Sequence, residues 1–372
     1  MTATAPITPS ALFSPFHSTH IDLAHRVVMA PLTRNRAPGG VPSPAMVEYY
    51  RQRANPATGA ALIVSEGTPI GPMAHGYLDS PGIYTPEQVA GWRRVTDAVH
   101  AEGGRIVAQI WHVGRISHSS LLPGGAQPVS STAQAAKSKT YIAGGFADVS
   151  TPRALSTAEI AAIVAEYAHA ARCAVEAGFD GVEIHAANGY LIEQFLRDRI
   201  NDRTDEYGGP LANRLRFLAE LLQAVVGAIG AGRTGIRLSP VTPANDAALD
   251  SDPQALFNAV GDLLGELGLL YVHVVEGQTG GARDYAPFDY AELRRRCKAP
   301  WIVNNGYTAA MAEAAVAEGR ADLVAFGKAF IANPDLSLRL RQGAPLNELQ
   351  RDTLYGGGEK GYTDYPRWQP GA

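Results

Sequence analysis

The residues best placed to do chemistry lie in one short run, His185-Ala-Ala-Asn188-Gly-Tyr190. The spacing lets an imidazole and an amide converge on a single acceptor, with a phenol close by. Two neutral donors aimed at a carbonyl oxygen stabilise the negative charge that develops there as an enolate forms. A phenol with an ordinary pKa of about 10 stays protonated at neutral pH and can pass a proton to carbon in the same step. The same residues read equally well as a hydrogen-bonded structural histidine and an aromatic side chain on a helix face.

Arg237 is flanked by Ile236 and Leu238 in an apolar run. Strand alternation turns the guanidinium to one face and its neighbours to the other. A buried guanidinium is costly unless an anion meets it. The negatively charged ring of a reduced flavin would suit it. A buried pair with Glu183, on the same face of the adjacent run, would suit it too, and the two readings are compatible. Further along, Asn305-Gly306 and Gly327-Lys328 close the last two apolar runs. Glycine lets backbone N–H groups approach a phosphate, and a lysine adds charge. Each pair alone also reads as a plain turn.

Eight apolar runs, β-branched or aliphatic over a few residues each, must position these groups. They begin at Arg26, Ala61, Arg105, Gly181, Gly235, Leu269, Trp301 and Ala321. This is the pattern of parallel strands buried on both faces. Helical patterns alternate with them. Thr85-Pro-Glu-Gln88 and Ser156-Thr-Ala-Glu159 have the form of capping boxes, and Gly178 ends the second helix near Ala177. Helices are also expected over 212–229, 253–267, 308–317 and 334–341.

Eight such units predict an α/β fold, a closed (β/α)8 TIM barrel in one domain over 1–372, with a doubly wound sheet as the alternative. Residues 11–25 suggest a hairpin at the barrel floor. Residues 113–155, rich in Gly, Pro, Ser and Thr, form an unusually long excursion after the third strand, expected to cap the active site. Active sites of such barrels lie at the C-terminal ends of the strands. Thr33, Glu66, Gln109, Trp111, His112, His185, Asn188, Arg237, Glu276, Asn304, Asn305 and Lys328 all fall there.

Composition narrows the function classes. Hydrophobic residues make up 46% and charged residues 18% of the 372 positions, so a large core forms without staples. A net charge of −4 argues against a non-specific nucleic-acid binder. Two cysteines, Cys173 and Cys297, are too few for a disulfide framework or a structural zinc site and fit a reducing, cytoplasmic setting. No apolar stretch is long enough to span a membrane, and residues 1–10 read as a loose tail, not a signal peptide. Gly356-Gly-Gly358-Glu-Lys-Gly361 matches G-x-G-x-x-G in form only, because it follows no strand.

From Leu12 to Pro366 the chain resembles the old yellow enzyme family of FMN-dependent ene-reductases. The resemblance rests on MAPLTRNRA from Met29, SEGTPI from Ser65 and AQIWHVGR from Ala108. It continues through GFDGVEIHAANGYLIEQFL from Gly178, NDRTDEYGGPLANR from Asn201, FGKAFIANPDL from Phe326 and DTLYGGGEKGYTDYP from Asp352.

The resemblance implies tightly bound, non-covalent FMN with NADPH or NADH as electron donor. It implies reduction of activated C=C bonds in α,β-unsaturated carbonyl compounds and nitroalkenes. Pro31, Leu32 and Thr33 would line the flavin, with the Thr33 hydroxyl at O4. Gly67 and Gln109 would contact its pyrimidine half, Arg237 would sit at N1 and O2, and Asn305, Gly306, Gly327 and Lys328 would form the phosphate end. His185 and Asn188 would grip the substrate carbonyl, and Tyr190 would protonate the α-carbon. Tyr77, Trp111 and Tyr355 would shape the substrate pocket. Lys328 stands where the family more often has arginine, and Thr33 stands where the thermophile-type branch has cysteine. The expected partner is a small enone-type substrate, with no nucleic acid and no membrane, and the expected state is a monomer or homodimer.

Three rivals fare worse. An iron–sulfur relative of the dienoyl-CoA reductase type needs more thiolates than two cysteines supply. A flavin-free aldolase or isomerase needs a lysine or paired carboxylates inside the barrel mouth. A mere FMN holder would not turn over cyclohexenone.

Overall fold

The computed structural model describes residues 10–369, so the tail expected over 1–10 lies, except for Ser10, outside the described residues. All eight apolar runs form strands: β1 (Val27–Met29), β2 (Leu62–Val64), β3 (Ile106–Trp111), β4 (Gly181–Ala186), β5 (Thr234–Leu238), β6 (Tyr271–Val275), β7 (Trp301–Asn304) and β8 (Leu323–Phe326). Each pairs in parallel with its neighbours in chain order, and β8 pairs with β1 through Ala325↔Val28. Pairing of β3 with β4, Glu183↔Gln109, joins the two halves. The sheet is therefore a closed barrel, which excludes the doubly wound alternative.

Helices α1 (Pro44–Ala54), α2 (Pro86–Ala101), α3 (Thr157–Glu176), α4 (Leu191–Leu196), α5 (Leu211–Ile229), α6 (Pro253–Gly265), α7 (Tyr290–Cys297), α8 (Ala309–Ala317), α9 (Lys328–Ala332) and α10 (Leu336–Gln342) fill the connections. Both expected capping boxes form. The Thr85 hydroxyl accepts from Gln88 N while the Gln88 side chain accepts from Thr85 N, and Ser156 and Glu159 do the same for α3. Helix α1 follows a serine cap and a first-turn proline, but its buried face is Met46, Tyr49, Tyr50 and Arg53. Tyrosines and a buried arginine hide the apolar period that a sequence reading relies on.

Inward and outward residues alternate along every strand. Below, the interior is apolar, with Val28, Leu62, Val64, Val107, Ile302 and Leu323 in one cluster. Above, it turns polar, with Gln109, Glu183, Arg237, His273 and Asn304, all buried. Gly235 is needed at this boundary, since a side chain there would lie 2.7 Å from the ring of its register partner Tyr271. The short hairpin near the N-terminus pairs Phe16–His17 with Asp22–Leu23. In the 113–155 excursion, Lys139–Ile142 and Gly145–Asp148 form an antiparallel hairpin. Val113, Ile116, Ala136 and Val149 of this excursion pack with Trp111 and Tyr190 in one apolar cluster.

Candidate active site

At the C-terminal end of the barrel lies a cavity of about 480 Å³, within the ~300–1,000 Å³ range of small-molecule sites. Pro31, Leu32, Asn188, Arg237, Asn305, Gly306, Gly327 and Lys328 all line it, so eight of the expected site residues meet at one place. Thr279, Gly280 and Gly281 of the β6–α7 loop form another wall, and Asn304 and Tyr307 contribute too.

Arg237 faces inward between His185 of β4 and His273 of β6, its register partners. Among the described residues its one acceptor is Asn304 Oδ1, 2.8 Å from Nη2, and its Nε is buried without a partner there. Asn304 in turn donates Nδ2 to Ala325 O at 2.8 Å, which fixes the amide so that its oxygen faces Arg237. The expected contact pair with Glu183 does not form, because the Glu183 oxygens receive Gln109, Tyr271 and His273. Burial lowers the Arg237 pKa from its ordinary value, and Glu183 works against that shift as a nearby charge.

Beside the cavity stands an aromatic group. Tyr77 and Trp111 stack at 5.8 Å and 10°, and Trp111 and His185 stack at 5.8 Å and 8°. Tyr190 meets both Trp111 and His185 edge-on, at 4.8 Å and 4.9 Å, and its hydroxyl lies 3.1 Å from that of Tyr77. Gly67 leaves room for this stack, since a side chain there would come within 2.7 Å of the Trp111 indole. Burial pulls the His185 pKa well below the ordinary histidine value, with the Arg237 and His273 charges adding to it. The imidazole is neutral. Burial also pushes the Tyr190 phenol up to about 12, partly offset by hydrogen bonds from Tyr77 and Asn245. Tyr190 caps the short helix α4 at its start, so it is not the helix-face aromatic of the alternative reading.

Asn188 has φ +59°, a left-handed conformation that asparagine tolerates. Its Oδ1 accepts the Thr279 hydroxyl at 2.7 Å, its N–H donates to Ser239 at 2.7 Å, and its carbonyl accepts Asn245 Nδ2 at 2.9 Å. With the oxygen engaged, the amide group offers N–H donors. Asn305 differs. Its Nδ2 donates to Glu276 O at 2.7 Å and Gln278 O at 2.9 Å, and its Oδ1 accepts Gly280 N at 3.1 Å. Its side chain therefore holds the 276–281 loop, and only its backbone is free for a ligand.

Thr33 is half-buried and stands beside the cavity wall, not in it. Tyr355 is 41% exposed and packs against Tyr141 and Phe146 of the excursion, at 6.0 Å and 5.5 Å. The sequence reading missed Thr279 and Asn245, which steer Asn188 and Tyr190. They lie in irregular loops, and no periodicity points to them.

The cavity suits FMN. Its wall carries a guanidinium with an orphaned N–H, a lysine with no acidic partner among the described residues, and two glycines whose missing side chains leave space. Among the described residues no group of histidines, cysteines and carboxylates is placed to hold a metal ion. No helix among them is long and apolar enough to cross a membrane.

Residues 11–347 match the family described as NADH:flavin oxidoreductase / NADH oxidase. The 12-oxophytodienoate reductase 7 of Oryza sativa subsp. japonica is 46% identical, covering 95% of this chain and 94% of its own. The 12-oxophytodienoate reductase 2 of Arabidopsis thaliana is 44% identical, covering 95% of each. The structure of a morphinone reductase superposes with a TM-score of 0.92 at 44% identity over 99% of each chain. Another morphinone reductase structure, in complex with tetrahydroNAD, gives 0.90 at 45% identity. The chain belongs to this NADH:flavin oxidoreductase / NADH oxidase family, the old yellow enzyme family its motifs resemble, and is an FMN-dependent oxidoreductase driven by NAD(P)H.

Proposed function

We propose that this enzyme reduces the activated C=C bond of α,β-unsaturated carbonyl compounds and nitroalkenes, with His185 and Asn188 binding the carbonyl or nitro oxygen and Tyr190 supplying the proton. When bound, FMN supplies the hydride, taken from the reduced nicotinamide. The protein positions and polarises. The observation that carries the reading is the convergence of Arg237, His185, Asn188 and Tyr190 at one mouth of the barrel.

A neutral imidazole and an amide N–H donate to the same substrate oxygen and stabilise the negative charge that grows on it. The buried, protonated Tyr190 hydroxyl stands next to them to deliver a proton to the α-carbon. Pro31 and Leu32 would flank the flavin, with the Thr33 hydroxyl at O4 and Gly67 and Gln109 at its pyrimidine half. Arg237 would face N1 and O2. Gly306, Gly327 and Lys328 would hold the phosphate, with Asn305 contributing its backbone. Lysine gives a point charge there in place of the bidentate fork of arginine. Tyr77, Trp111 and Tyr355 would shape the substrate pocket, and the 113–155 excursion would cap it. The whole chain acts as one unit, a monomer or homodimer in the cytoplasm, with neither nucleic acid nor membrane as partner.

The test is the colour of the purified protein and its titration with a simple phenol. A yellow preparation that develops a long-wavelength charge-transfer band, and turns over 2-cyclohexenone with NADPH or NADH, is the expected result. A colourless protein that does not take up FMN would refute it.

A further inference from the structure

In the polar layer under Arg237, Glu183, Tyr271 and His273 have no part in the chemistry proposed above. Glu183 is fully buried there, and its two oxygens receive three donors: Gln109 Nε2 at 2.8 Å, His273 Nδ1 at 2.8 Å and the Tyr271 hydroxyl at 3.1 Å. Gly235 makes room for the Tyr271 ring that brings one of these donors. Burial acts to raise the Glu183 pKa, but His273, Arg237 and Gln109 outweigh it and hold the carboxyl below its ordinary range. Burial lowers the His273 pKa from its ordinary value, against the pull of Glu183. Glu183 and Arg237 belong to the same buried layer, and they do not touch.

Two consequences follow from elementary chemistry. A carboxylate only accepts, so the NH2 end of Gln109 must point down at Glu183. The Gln109 carbonyl oxygen is the end left for a ligand, and among the described residues it takes no hydrogen bond. The pyrimidine edge of a flavin presents one donor, N3–H, between two acceptor oxygens, so a carbonyl oxygen is the complement of N3–H. Second, a buried anion near Arg237 weakens the field that the guanidinium projects, because low-dielectric surroundings screen neither charge. A weaker positive field gives less stabilisation to a ring that gains negative charge on reduction.

We propose that Glu183 is a positioning residue that sets the reduction potential of bound FMN, by giving Arg237 a buried counter-charge and by turning the Gln109 carbonyl toward N3–H of the flavin. This rests on the reading that Arg237 and Gln109 face the pyrimidine half of the ring.

Three variants of the holoenzyme test it, with dye-equilibration potentials and FMN dissociation constants as readouts. E183Q removes the charge and keeps the size. At a fixed ambient potential its ratio of reduced to oxidised flavin should rise at least tenfold, a shift of about 30 mV for a two-electron couple. Y271F removes a hydrogen bond to the same carboxylate but no charge, and should leave that ratio within threefold. R237M should weaken FMN binding at least tenfold and move the ratio the opposite way to E183Q. In the wild type, 15N-labelled FMN should show an N3–H proton that exchanges more slowly than in free FMN, a measurement that stands even if E183Q does not fold. A potential that responds to R237M but not to E183Q, equal shifts in E183Q and Y271F, or an N3–H exchanging as in free FMN overturns the proposal. A potential and an affinity indifferent to both E183Q and R237M would instead remove the pocket reading beneath it.

Discussion

Replacing Tyr190 with phenylalanine isolates the proton transfer. The hydroxyl lies 3.1 Å from that of Tyr77, while the ring keeps its edge-on contacts with Trp111 and His185 at 4.8 and 4.9 Å. The loss of the hydroxyl that accepts from Tyr77 and Asn245, with the Tyr77 hydroxyl left unpaired, should cost about 1–3 kcal/mol of stability, which a protein of this size tolerates. A positioned general acid is worth roughly 100- to 10,000-fold in rate, or about 3–5 kcal/mol on the barrier. Stopped-flow spectrophotometry separates the half-reactions. Bleaching of the flavin by NADPH should stay within about threefold of the wild type, because Tyr190 has no part in that step. Re-oxidation by 2-cyclohexenone should fall at least 100-fold. The phenol is raised to about 12 and His185 is held neutral, so the wild-type oxidative rate should be flat from pH 6 to 9. Equal losses in both halves, or an oxidative rate that titrates with a pKa near the ordinary histidine value of about 6.5, would refute the assignment.

Gly67→Ala should lower thermal stability by about 1–3 kcal/mol through overpacking and raise the KM for cyclohexenone, because the added carbon lies 2.7 Å from an indole already stacked with Tyr77 and His185. Calorimetry and steady-state kinetics check this, and an unchanged KM counts against Trp111 as a pocket wall. Lys328→Ala should raise the FMN dissociation constant at least tenfold, about 1.4 kcal/mol, measured by recovery of flavin fluorescence. Glu66 is buried, and desolvation raises its carboxyl to about 7 despite the hydrogen bonds from Arg34 N–H and the Tyr50 hydroxyl. The folded chain holds a proton that the unfolded chain releases between about pH 4.5 and 7, so this residue makes stability fall as pH rises through that window. Glu66→Gln should remove the fall, which is worth about 3 kcal/mol at most, as read from melting temperatures against pH.

The barrel was legible in the sequence because each strand is a β-branched run and several helices carry caps that also work locally, as at Thr85 and Ser156. The residues that meet in the cavity were legible as types at strand ends, and as matches to family motifs. Their pairings were not. Asn305 reads as a ligand-facing amide, yet the 276–281 loop occupies its whole side chain. Glu183 reads as the partner of Arg237, yet it serves Gln109, Tyr271 and His273. Alternation says which face a side chain takes. Which neighbour wins it is decided by distances across the barrel, and these depend on details such as the missing side chain of Gly235.

The segment Gly356 to Gly361 shows the same limit from the other side. Its glycine spacing imitates a nucleotide loop, but the structure uses it to satisfy cations. Arg34, Arg36 and Arg53 are all buried, and among the described residues no carboxylate forms an ion pair with any of them. Backbone carbonyls replace the anion: Arg34 donates to Leu354 O at 2.9 Å and Gly361 O at 2.8 Å, Arg36 to Gly358 O at 3.0 Å, and Arg53 to Phe330 O and Ile331 O at 2.9 and 2.8 Å. Tyr362 stacks on Tyr49 at 4.2 Å, with Arg36 over the outer ring at 4.4 Å and Arg53 over the inner at 3.7 Å. The chain turns tightly enough to offer the Gly358 and Gly361 carbonyls because Gly356, Gly357 and Gly361 adopt positive φ. Arg34 and Arg36 directly follow Pro31, Leu32 and Thr33, so the C-terminal segment pins the loop that forms one wall of the cavity. A buried guanidinium left without acceptors would cost several kcal/mol. That cost ties the end of the chain to the beginning of the barrel and keeps the loop after β1 in one conformation.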